Sequence, residues 1–150
     1  MKSFFIGIVM LAGFNASANA QDYKVIAKEY CGCFEMIKDT MNAVYRELLV
    51  KISNEDDIKA ALKRETLKLN EEKRKEFSTQ MTKIGILMDS DESAAGECGL
   101  ELDEKYAAYN TPEKEKEFGE KLITALKDLP ECAFFRAILK VAIAFSDELE

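Results

Sequence analysis

The sequence has no histidine and no tryptophan, only two prolines, and fewer basic than acidic residues. Without imidazole there is no Ser-His-Asp or Cys-His nucleophile, no HExxH zinc site, no His-ligated haem and no histidine switch near neutral pH. The balance of 21 basic to 28 acidic residues makes a poor phosphate ligand, so no nucleic-acid partner is expected. The sequence holds no recognisable motif for catalysis, for a cofactor or for a metal, and none of the three is expected.

What is present begins with residues 1–20, MKSFFIGIVMLAGFNASANA. Lys2 is a positive n-region, Phe4 to Phe14 an apolar run, and Ala18-Asn19-Ala20 a small-residue cleavage site, which together predict a cleaved export signal. A membrane anchor needs roughly 20 apolar residues, about twice this run. No Cys lies at or just after the cleavage site, which argues against a lipid anchor. The expectation is a protein that is periplasmic or extracellular, soluble after cleavage before Gln21, with no membrane span. Lys2 is the only charge in the signal, so residues 21–150 carry 20 basic and 28 acidic residues, a net of −8. These 130 residues suit one helical domain.

Export places Cys31, Cys33, Cys98 and Cys132 in an oxidising setting, where an even count predicts two disulfides. On a helix, Cys31 and Cys33 point about 200° apart and should not pair with each other. Two pairings stay open: Cys31–Cys98 with Cys33–Cys132, or Cys31–Cys132 with Cys33–Cys98. Either staples the first helix to two neighbours and contributes roughly 3–5 kcal/mol per bridge in the chain-entropy picture. A soft metal site made of Cys-Gly-Cys with Met36, Met81 or Met88 is disfavoured, because a Cys-x-Cys on a helix splays its sulfurs. Gly32 between the cysteines suggests the close approach of another backbone.

Apolar residues recur at helical spacing throughout, and no stretch alternates as a strand does. Ile26, Tyr30, Cys33, Ile37, Met41, Val44, Leu48 and Ile52 predict one amphipathic helix from Tyr23 to Ile52. A second helix follows Ser53–Asp57, with its stripe at Ile58, Leu62, Thr66, Leu69, Phe77, Met81, Ile84 and Met88. The charged run KLNEEKRKE, residues 68–76, interrupts this stripe, and we expect a single helix to Asp89 with a solvated middle. Asp89–Ser93 resembles a calcium loop but has Ala94 and Leu100 where Gly and Glu are required, so capping is the better reading. A third helix carries Ala95, Cys98, Leu102, Tyr106 and Tyr109. Thr111-Pro112 should start a fourth, with Phe118, Leu122, Ala125 or Leu126, and Leu129 facing inward. Asp128 should cap a fifth, from about Leu129 to Leu149. That last helix is apolar on nearly every face except at Arg136 and Lys140, as expected of a central helix.

The fold class is therefore all-α, a small disulfide-stapled bundle of about five helices with the last one central and apolar. Three functions fit. The leading expectation is an exported, non-catalytic helical interaction module, of inhibitor, immunity or assembly-helper type, whose acidic surface binds a partner protein. The second is a carrier of an apolar small molecule in an internal helical pocket, suggested by nine Phe and five Tyr, although an ordinary core needs the same aromatics. The third is a carboxylate-only hydrolase, for which 28 acidic residues make any one pair uninformative. Tyr106, Tyr109, Phe134, Phe135, Ile138 and Phe145 are the candidate apolar interface or pocket.

Overall fold

A computed structural model of the protein describes residues 20–111 and 114–146. The signal reading of residues 1–19, the first-turn Pro112 and the end of the last helix after Ser146 lie outside them. The described residues form seven α-helices and no strand. The all-α bundle is as expected; two of the five expected helices are each broken in two.

The first break separates α1 (Ala20–Glu35) from α2 (Ala43–Ser53). A 3₁₀ turn at Lys38–Thr40 lies between them, and the Thr40 hydroxyl donates to the Ile37 carbonyl at 2.6 Å. Asn42 then caps α2 by accepting from Val44 N at 3.0 Å. Short polar side chains that bond the nearby backbone compete with a continuing helix, which is why the chain restarts here. The restart rotates the stripe: Tyr45, Leu49 and Ile52 are buried, whereas Val44 is 66 % exposed.

The second break separates α3 (Ile58–Leu67) from α4 (Glu71–Asp89). Asn70 accepts from Lys73 N at 2.9 Å, and Glu71 and Glu72 follow in the first turn. The charged run is thus a helix start, with an N-cap and acids near the positive dipole end, and not the solvated middle of one long helix.

Ser93 caps α5 (Ala94–Lys105), accepting from Gly96 N at 2.9 Å while its hydroxyl donates to the Leu87 carbonyl of α4. A Cβ on Gly96 would stand 2.0 Å from the Ser90 carbonyl oxygen, so only glycine admits this turn. Gly32 has open space where a Cβ would stand, and the expected backbone approach there is absent. Helix α6 (Glu115–Leu126) begins later than expected, with Lys114 at its N-cap. A 3₁₀ turn at Pro130–Cys132 leads into α7 (Ala133–Ser146). Leu129 takes the N-cap position there, and Asp128 instead lies 4.0 Å from Lys24.

Two apolar clusters form the interior. One joins α2, α3, α4 and α7 through Leu49, Ile52, Ile58, Ile84, Ala137 and Ile138. The other joins α1 and α6 through Ile26, Tyr30, Phe118, Leu122 and Leu126, and includes Phe135. Helix α7 therefore supplies both clusters and is central. Its two cations close the C-terminal end of α2: Lys140 donates to the Ser53 carbonyl, and Arg136 to Asn54 Oδ1 at 3.1 Å. Cations suit that end of a helix dipole, which explains their place on an apolar helix. Among the described residues no helix is long and apolar enough to cross a membrane.

Candidate functional site

Helix α1 carries Tyr30 and Phe34 four residues apart, one turn along the same face. Phe135 of α7 stacks on Phe34, and Phe118 of α6 meets Tyr30 edge-on at 6.1 Å. These rings form the floor of a cleft of about 630 Å³. Its walls are Gly99 and Leu100 of α5, Gly119 and Leu122 of α6, and Leu139 and Ile143 of α7. Gly119 allows α6 to approach α7, since a Cβ there would lie 2.6 Å from Ile143 Cδ1.

Both disulfides brace this cleft. Cys33 pairs with Cys98, next to Gly99 in the α5 wall, and Cys31 pairs with Cys132, next to the start of α7. The structure thus selects one of the two pairings left open by the sequence. The adjacent pair Cys31 and Cys33 ties α1 to both walls because its sulfurs splay to opposite sides, and no thiolate of Cys-Gly-Cys remains to hold a metal.

The lining also carries polar groups, of which Asp89, Asp103, Glu115 and Lys116 are exposed. The Tyr30 hydroxyl donates to Asp103 Oδ1 at 2.5 Å, and Asn110 Nδ2 donates to the same oxygen at 3.4 Å. Burial, reinforced by Asp103, raises the Tyr30 hydroxyl well above its ordinary value and keeps it a donor. Asp89, Glu115 and Lys116 complete the ionisable lining among the described residues.

Of the six candidate residues from the sequence, only Phe135 lines this cleft. Tyr106 and Tyr109 are half-buried and pack edge to face at 6.2 Å. They extend an aromatic row to Tyr23 and Tyr30, and the Tyr106 hydroxyl donates to Glu29 at 2.9 Å. Phe134 and Ile138 belong to the other cluster, and Phe145 is half-buried beneath the Lys59 ammonium at 5.2 Å. The six are divided between the two apolar clusters. Sequence reasoning missed Phe34, Gly99, Asp103, Leu139 and Ile143, and only the four-residue spacing of Tyr30 and Phe34 hinted at the floor.

A buried carboxylate was missed as well. Glu65 of α3 is 6 % exposed in its side chain and pairs with Lys68 at 2.7 Å, Lys51 at 3.0 Å and Arg64 at 3.3 Å. The bonds from Lys68 and Lys51 hold its carboxyl down at about 2. With three cations around it, Glu65 is built to stay ionised and to tie α3 to α2.

Compared with protein-family models, curated proteins and solved structures, the chain has no match.

Proposed function

We propose that this is an exported, non-catalytic binding protein that carries a small apolar molecule between α1, α5, α6 and α7. The observation behind this reading is the cleft: its volume of about 630 Å³ falls within the roughly 300–1,000 Å³ usual for small-molecule sites. Its apolar walls and few polar groups suit a ligand held by burial and oriented by a few hydrogen bonds. Rigid bracing by two disulfides supports a preformed site, which lowers the ordering cost of binding. Export is supported by those disulfides together with the signal-like residues 1–20. A non-catalytic role is supported by the sequence, which has no histidine and no recognisable catalytic motif.

The interaction-module reading is supported by a different feature, the acidic surface of α5, where Glu97, Glu101 and Glu104 are all exposed. Native mass spectrometry of protein purified without denaturation from the exported fraction of its own host separates the two. A retained small-molecule mass supports the carrier. An empty protein that travels with a second polypeptide overturns it in favour of the interaction module.

A further inference from the structure

Resting on the carrier reading, the geometry points to a ligand of a definite class: an amphiphile with a cationic head, such as a primary amine, seated against Asp103 with its apolar body along Phe34 and Phe135. The exposed charges that line the cleft favour a cation. Three of the four ionisable side chains that line it besides Tyr30 are carboxylates, Asp89, Asp103 and Glu115. The fourth, Lys116, is already engaged. Asp103 receives its bonds from Tyr30 and Asn110, which are both neutral, so they orient the carboxylate without neutralising it. Asp103 is exposed, so it attracts a cation from the solvent side of the cleft, a pull that salt screens.

An anionic head, such as that of a fatty acid, would face these carboxylates and lose affinity through repulsion and desolvation. A neutral head would gain the apolar burial alone. The expected order is therefore cationic, then neutral, then anionic, for chains of one length.

The test is displacement of a neutral fluorophore, phenylnaphthylamine, from the purified, disulfide-intact protein at pH 7 by decylamine, decanol and decanoate, each below its micelle concentration. Decylamine should displace it at about threefold lower concentration than decanol, with decanoate weakest. Asp103→Asn should remove most of the preference, whereas Glu101→Gln, a charge change of equal size on α5 outside the cleft lining, should leave it intact. This control separates the cleft from the general attraction of an acidic protein for cations. Equal displacement by decylamine and decanol from the unmodified protein overturns the cationic head but leaves the carrier reading in place. Loss of the preference in Glu101→Gln to the same degree as in Asp103→Asn also overturns the assignment to Asp103. If neither the fluorophore nor any of the three chains binds, the carrier reading fails, and this inference fails with it.

Discussion

Phe34 and Phe135 stack with their ring centroids 4.2 Å apart and their planes 20° from parallel. Phe34 packs against both apolar clusters, so the pair links them while forming the floor of the cleft. Stability and binding therefore meet at one contact. Phe135→Ala should destabilise the protein by about 3–5 kcal/mol, read from urea midpoints, as expected for removing a buried ring from a core that cannot collapse fully. A near-zero cost would place Phe135 outside the core.

Removing the Cys33–Cys98 bridge by replacing both residues with Ser opens a link across 65 residues of sequence. In the chain-entropy picture this costs about 4 kcal/mol, with a marked fall in melting temperature. The same double variant should weaken ligand binding, because the α5 wall loses its tie to α1. An unchanged midpoint would contradict a structural role for the bridge.

Two helical glycines should respond in opposite ways to alanine. Gly32→Ala meets open space and should raise stability by up to about 1 kcal/mol. Gly96→Ala drives a methyl group into the Ser90 carbonyl and should lower stability by about 1–3 kcal/mol. Thermal melts of both variants check the packing of the α4–α5 turn against that of the exposed Gly32 position.

Glu65 gives the protein a specific acid sensitivity. Its carboxyl is held at about 2 in the folded state, below its ordinary value of 4.5, so the unfolded chain takes up its proton first as pH falls. The stabilisation from this group is complete above about pH 4.5 and is lost as pH drops from there towards 2. Glu65→Gln should be less stable than the parent at pH 7, and the difference should narrow steadily below pH 4.5. Urea midpoints at several pH values read this directly; a difference that stays constant with pH would show that the ion pairs do not set the Glu65 carboxyl.

The helical class was readable from the 3.6-residue spacing, and the central place of α7 from its apolar character on nearly every face. The two breaks were not, because a stripe such as Ile37, Met41, Val44 and Leu48 keeps helical spacing across a point where the chain in fact stops and restarts. Asn42 and Asn70 were visible but looked like ordinary members of polar faces; only the hydrogen bonds to Val44 and Lys73 identify them as caps. Glu65 lay beyond reach for a different reason. Its burial depends on Lys51 from another helix, and no local pattern encodes that pairing. The cleft shares this difficulty: Phe135, Phe34 and Gly99 come from three helices, and aromatic content alone does not distinguish a filled core from a lined cavity. The disulfide pairing needed the spatial order of α5 and α7 around α1.

The most direct test of the account is whether the cleft is a binding site. Gly99 lines it and a Cβ there would meet nothing within 4 Å, so Gly99→Leu should project into the cleft and narrow it while adding a better helix former. Titration with phenylnaphthylamine should show one saturable site on the unmodified protein. On Gly99→Leu that site should be lost while the melting temperature holds or rises. Equal binding by the two proteins, or no saturable binding to either, would contradict the account.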